Sequence, residues 1–163
     1  MRDQRLDPID VKILRFLSAD GRTPFSHIAR NLNISDVAVK KRVEKLIQKG
    51  IIRSFRVDID LKKIGYPYTV FFEIKPDPAM ANNLFQRVLE LPNVIEAHLL
   101  VGDYPILVKA VAGSIEEVRE MADLIGRMDG VLDLKSSVAL ESESKPLDIS
   151  GKISQSSLGA AGR

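Results

Sequence analysis

The chain has 163 residues, 45% of them hydrophobic, 28% charged and 6% aromatic, with a formal net charge of +2, the composition of a soluble globular protein of one or two small domains. The absence of cysteine excludes disulfides, thiolate catalysis and Cys-ligated zinc or iron–sulfur centres, and two histidines, His27 and His98, do not make a His-rich metal site. No apolar run approaches the roughly 18–20 residues of a membrane span, and Met1-Arg2-Asp3-Gln4-Arg5 is not followed by a secretory-type apolar segment, so the expected location is the cytoplasm.

The small net charge hides a division. Residues 1–60 hold 13 Lys/Arg against 8 Asp/Glu, a balance of +5; residues 61–145 hold 9 against 13, a balance of −4; the last 18 residues carry +1. A basic first third joined to an acidic middle indicates that the N-terminal part meets a polyanion while the middle does other work.

In chain order, Asp7-Pro8 reads as a helix start, because Asp can cap and proline's missing N–H is not needed in the first turn. Ile9, Ile13, Phe16 and Leu17 repeat at helical spacing until Ala19-Asp20-Gly21. Thr23-Pro24 repeats the start signal, and Phe25, Ile28, Ala29 and Leu32 give a second helix its apolar face. A tight Leu32-Asn33-Ile34 turn leads to a third helix, with Ser35 as its cap and Gly50 as its left-handed terminator. Val39, Val43, Leu46 and Ile47 form its apolar stripe, while Val37, Ala38, Lys41, Lys45 and Gln48 point the other way. From Ser35 to Arg53 six basic residues (Lys40, Lys41, Arg42, Lys45, Lys49, Arg53) stand against two acidic ones (Asp36, Glu44). Short side chains at one end and cations along the rest suit a helix in a DNA major groove.

Ile51 to Ile59 alternates well enough to predict a strand, the wing of a winged helix-turn-helix and the exit from the first domain, with Arg53 and Arg56 available to phosphates. Gly65 and Pro67 break the chain. Thr69 to Ile74 is a β-rich run stopped by Pro76 and Pro78. A helix follows with Leu84, Val88, Leu89 and Leu91 on its inner side, then a strand over Val94–Val101. Gly102-Asp103-Tyr104-Pro105 turns the chain into a strand over Ile106–Ala112. Ser114 with Glu117 marks a capping box and opens a helix with Val118, Met121, Ala122 and Ile125 inward. A last strand runs over Val131–Leu140. The order β-α-β-β-α-β predicts a four-stranded antiparallel sheet with both helices on one face. The other face is expected to be apolar and uncovered, hence an interface for a second copy.

These readings define an α+β chain: a winged helix-turn-helix domain over residues 1–52, a β-ribbon linker over 53–66, a ferredoxin-like dimerisation and effector domain over 67–143, and a flexible tail over 144–163, rich in small and polar residues.

The segments L-D-P-I-D-V-K-I-L from Leu6, D-G-R-T-P-F-S-H-I-A from Asp20, L-N-I-S-D-V-A-V-K-K-R-V-E-K-L-I-Q-K-G-I-I from Leu32 and V-G-D-Y-P-I-L-V-K from Val101 are specific in this order and spacing. By them, residues 6 to about 143 resemble the leucine-responsive and asparagine-synthase regulators (Lrp/AsnC, or feast/famine, family), bacterial and archaeal transcription factors. The resemblance implies double-stranded DNA as partner, homodimers assembling into octamers or higher species, and a small-molecule effector, commonly an amino acid. It places Ser35, Val37, Ala38, Lys40, Lys41, Arg42 and Lys45 at recognition-helix positions. Lys41 and Lys45 are expected at the groove or its edge, Lys40 and Arg42 at flanking phosphates. Asp36 complements the helix dipole rather than touching DNA; Thr23, Ser26 and His27 belong to the supporting helix.

Gly102, Asp103 and Tyr104 match the family's effector-site turn, where Pro105 replaces a usual acidic residue. Proline offers neither charge nor N–H, so either Asp103 takes over the effector's ammonium group, the ligand differs, or the response is lost. No catalytic, cofactor or metal site is expected: there is no Ser-His-Asp order, paired-carboxylate arrangement, P-loop or dinucleotide glycine motif. Two rival readings are an enzyme on the same architecture, of the sirohaem-decarboxylating kind, and an architectural DNA binder without operator preference.

Overall fold

A computed structural model describes residues 6–145 of the chain. The reading of a flexible tail falls almost wholly outside these residues. The chain divides into two compact units, one ending at Asp58 and the other spanning Ile59–Glu143.

The first unit contains three helices, α1 (Pro8–Ala19), α2 (Phe25–Leu32) and α3 (Asp36–Gln48). Each boundary follows from a local hydrogen bond. Asp7 caps α1 by accepting from the Ile9 N–H at 2.7 Å, and Ser35 caps α3 by accepting from the Ala38 N–H at 3.1 Å, satisfying N–H groups that the helices leave free. Asn33 ends α2 in the left-handed conformation at φ 53°. The N–H of Ile34 reaches back to the Ala29 carbonyl at 3.1 Å and that of Asn33 to Arg30 at 3.4 Å. Gly50, at φ 68°, ends α3 in the same way: its N–H bonds to the Ile47 carbonyl at 2.8 Å and that of Ile51 to Leu46 at 2.9 Å. Both are Schellman closures, and the first is the turn of the helix-turn-helix.

Thr23 behaves differently from expectation. Pro24 itself occupies the cap position of α2 without a side-chain cap, while the Thr23 hydroxyl donates to the Asp20 carbonyl at 2.7 Å. The core of this unit is Ile13, Leu17, Ile28, Ala29, Val39 and Val43, with Ile9, Phe16, Phe25, Leu32, Ile34 and Ile52 packed on it. Each such fully buried aliphatic side chain is worth roughly 1.5–3 kcal/mol relative to exposure. Ile47, expected on the inner stripe, is 47% exposed, because at about 100° per residue it stands some 80° round the helix from Val39; Ile52, beyond the closure at Gly50, packs on the core.

The expected wing does not form. No sheet pairing is present over Ile51–Ile59 among the described residues: alternation makes a segment competent for a strand, but its backbone groups need a neighbouring strand to complete a ladder. Phe55, Val57 and Ile59 are exposed along this stretch.

The second unit begins with a 3-10 turn at Leu61–Ile64 and continues as β1 (Tyr68–Pro76), α4 (Ala81–Leu89), β2 (Val94–Leu99), β3 (Ile106–Ala112), α5 (Ile115–Gly126) and β4 (Val131–Val138). The sheet order is β2-β3-β1-β4, all antiparallel, the ferredoxin-like arrangement expected from the element order. β1 extends to Pro76 with a register shift at Lys75/Pro76, where a residue without an N–H breaks the ladder. β2 stops at Leu99 and β4 at Val138, each two residues earlier than expected.

Val70, Phe72 and Ile74 of β1 lie against Ala110, Val108 and Ile106 of β3. Together with Leu84 and Val88 of α4 and Val118 and Ile125 of α5 they form the buried core. Met121 and Ala122 pack at its margin as expected, as does Leu91 just beyond the helix; Leu89 does not, being exposed. Ser114 accepts from the Glu117 N–H at 3.2 Å, and the Glu117 carboxylate accepts from the Gly113 N–H at 2.8 Å. This is the capping box, displaced by one residue on its return arm.

The other sheet face is not the apolar surface expected. Its register sets Glu73 beside Lys135, Lys75 beside Asp133 and Glu96 beside Lys109, with Phe71 and Leu107 half-buried among them. Cross-strand pairs of opposite charge are themselves favourable in a sheet, so the strands tolerate a polar face.

Candidate nucleic-acid interface and effector loop

The inner side of α3 is fixed by Val39, Val43 and Leu46, all buried. The 3.6-residue period then turns Val37, Lys41 and Gln48 directly outward, with Lys40 and Lys45 to either side. Val37 is 62% exposed, and Ser35, Lys40, Lys41 and Lys45 are exposed. Ala38 is half-buried, and its N–H is taken by the Ser35 hydroxyl. Lys40 lies 4.0 Å from Glu44 one turn on, a pair too open to fix either side chain.

Arg42 departs from the position expected for a phosphate contact. Its guanidinium Nη1 donates to Asp10 Oδ1 at 2.7 Å and approaches Asp7 Oδ2 at 3.2 Å, both in the first turn of α1. The two carboxylates hold the Arg42 guanidinium above its ordinary pKa, the Asp10 hydrogen bond contributing most. Asp7 is held below the usual carboxylate range, first by the Ile9 N–H and then by Arg42. The i, i+3 spacing of Asp7 and Asp10 puts them on one side of a helix; nothing local in the sequence marks the arginine they meet.

His27 is exposed and presents its ring edge-on to Phe16, with centroids 5.9 Å apart at 83°, a packing contact. His98 stands on β2 with Nε2 3.7 Å from Glu96. No group of three or more metal-competent side chains converges among the described residues, and no helix there is long and apolar enough to cross a membrane.

In the second unit, the Leu100 N–H donates to the Pro105 carbonyl at 2.6 Å. This closes the loop that carries Gly102, Asp103 and Tyr104. Pro105 thus serves the turn through its carbonyl, although it brings no carboxylate. Gly102 and Asp103 are exposed. Tyr104 reaches to β4: its hydroxyl donates to the Asp133 carboxylate, and the Lys135 Nζ stands 3.8 Å from its ring centroid, a cation–π contact. The hydrogen bond raises the Tyr104 pKa and lowers that of Asp133. Asp133 and Lys135 were not singled out as site residues. Their alternation along β4, which puts both on the same face, is the signal that could have flagged them.

A helix-turn-helix unit with a basic outer face, joined to a ferredoxin-like unit with a structured β2–β3 loop, is the architecture of a two-domain, ligand-responsive DNA-binding regulator. Comparison with known proteins agrees at both ends of the chain. Residues 6–47 match the AsnC-type helix-turn-helix domain and residues 69–147 the Lrp/AsnC ligand binding domain. The HTH-type transcriptional regulator LrpA of Pyrococcus horikoshii is 35% identical over 137 residues, covering 83% of this chain and 97% of the relative. The regulator LysM of Sulfurisphaera tokodaii is 32% identical over 136 residues, covering 83% and 95%. The structure of Escherichia coli AsnC superposes with a TM-score of 0.80 at 26% identity, over 88% of this chain and 97% of that one. The chain therefore belongs to the Lrp/AsnC family of DNA-binding transcriptional regulators.

Proposed function

We propose that the protein acts as a homodimer, assembling further into octamers or higher species, that reads double-stranded DNA in the cytoplasm with α3 in the major groove. Val37 and Ala38 supply short apolar contacts to base edges, Ser35 and Lys40 lie towards the phosphates, and Lys41 and Lys45 occupy the groove or its edge. The supporting observation is the outer face of α3: exposed Val37 followed by exposed Lys40, Lys41 and Lys45, opposite a fully buried apolar stripe. Gly102, Asp103 and Tyr104 form the effector loop, and the effector is a small molecule of the amino-acid class, whose ammonium group Asp103 meets in place of the carboxylate that Pro105 lacks.

The test is a binding titration of Lys41→Ala/Lys45→Ala against a selected operator across a salt series. A lysine that meets a base edge in the groove costs roughly 1–3 kcal/mol of operator affinity when removed, and one that stands at the groove edge against a phosphate also takes about 0.9 from the slope of log affinity against log salt, so the double variant binds more weakly. Unchanged affinity and slope refute the assignment.

A further inference from the structure

Arg42 lies in the sequence of the recognition helix, but its charge is committed inside the protein. One nitrogen, Nη1, touches both Asp10 at 2.7 Å and Asp7 at 3.2 Å. The side chains of Arg42 and Asp10 are 31% and 14% exposed, so this contact is partly withdrawn from solvent. It also ties together two helices that share the core. The buried Val39 and Val43 decide which side of α3 faces inward, but apolar contacts are non-directional and set the directions of the flanking side chains less sharply than a bond does. A charge-assisted hydrogen bond has a direction and a length. Because each residue advances about 100° around a helix, holding Arg42 against the first turn of α1 also sets the angle at which Lys41 leaves α3, and one turn later that of Lys45.

We propose that Arg42 is a positioning residue for DNA recognition: clamped by Asp7 and Asp10, it fixes the rotation of α3 about its own axis and so controls discrimination between sequences, without contacting DNA. This rests on the reading that α3 enters the groove. The arrangement separates two quantities that a phosphate contact would move together. Non-specific affinity depends on phosphate neutralisation and is insensitive to the angle of a few side chains; specific affinity depends on that angle.

The experiment uses the full chain, an operator selected from random duplexes with the wild-type protein, and a scrambled duplex of equal length. Both affinities and their salt slopes are measured for Arg42→Ala, Asp10→Asn and Arg42→Lys, at a temperature where circular dichroism shows each variant folded. Arg42→Ala is expected to lose at least about tenfold in operator affinity, the scale of one misplaced base contact, with scrambled-duplex affinity and both salt slopes unchanged. Asp10→Asn is expected to shift the same way. That sign is informative, since removing an acid near DNA for electrostatic reasons alone would tighten binding to both duplexes. Arg42→Lys recovers only part of the loss, because it keeps the charge but its ammonium ends about one bond short of the point where Nη1 touches both carboxylates.

The proposal is overturned if Arg42→Ala weakens both duplexes equally and lowers the salt slope, the mark of a phosphate contact, or if Asp10→Asn tightens binding. A loss that tracks only the unfolded fraction also overturns it, and Arg42→Lys and Asp10→Asn carry the test should Arg42→Ala fail to fold. If the wild-type protein prefers no duplex over a scrambled one, it is the reading of α3 itself that fails, an outcome distinct from all of these.

Discussion

Gly130 closes the turn between α5 and β4 at φ 93°, and replacing it with alanine tests how rigidly that turn is held. A left-handed conformation costs an L residue roughly 1–2 kcal/mol. The new methyl group would also lie 2.9 Å from Met80 Cβ, 3.1 Å from its Sδ and 3.4 Å from its Cε. Overpacking of that kind costs about 1–3 kcal/mol. The backbone cannot easily retreat, because the Gly130 carbonyl accepts the Asp77 N–H at 2.7 Å. Gly130→Ala should therefore destabilise the sheet-bearing unit by about 2–5 kcal/mol. In urea, at a slope of roughly 1–3 kcal/mol per molar, its unfolding midpoint falls by about 0.7–5 M while the helical unit is unaffected. Adding Met80→Ala removes the Sδ and Cε contacts but leaves the closest atom, Cβ, and the backbone conformation, so it recovers less than half of the loss. A cost below about 0.5 kcal/mol, or full recovery on adding Met80→Ala, refutes the reasoning.

Two further outcomes follow from the two ion-paired clusters. Asp7 has a folded pKa below its unfolded value, so its stabilising contribution is fully present above about pH 4 and is lost as the pH falls through the lower folded value. The stability difference between wild type and Asp7→Asn, which keeps a cap acceptor, should be about 0.2–1 kcal/mol at pH 5 and shrink steadily as the pH is lowered below about 4 in thermal unfolding; Asp7→Ala adds the loss of the cap, about 1 kcal/mol. A difference that grows on acidification contradicts the assignment. Tyr104→Phe removes the hydroxyl that donates to Asp133, so the Asp133 pKa rises towards the ordinary carboxylate range in an NMR titration. The Leu134 N–H at 2.9 Å and Lys135 still hold it partly down; an unmoved titration would mean that Tyr104 does not grip β4.

The parts of the fold that were legible in the sequence are those governed by neighbours within one or two turns. Asp7, Ser35 and Ser114 cap helices because their oxygens meet an N–H two or three residues on, and Gly50 ends α3 because its own backbone admits the left-handed turn. The period of Val39, Val43 and Leu46 reported the buried side of α3 for the same reason. What failed depended on a partner elsewhere. Ile51–Ile59 alternates like a strand but has no strand beside it, and the open sheet face carries Glu73 and Lys75 from β1 itself, which the register sets beside Lys135 and Asp133 of β4. The two candidate sites divide in the same way. Exposed Lys41 and Lys45 follow from helical period alone, whereas Arg42 meets Asp10 across 32 residues and Tyr104 meets Asp133 across 29. A cation on a recognition helix and a tyrosine in an effector turn are each read from the sequence as facing a ligand. In both cases the side chain is already engaged within its own unit, and the proposed role of Arg42 passes through the helix it holds in place. That distinction is measurable: a phosphate contact changes affinity for every duplex, while a clamp of this kind changes the choice between duplexes.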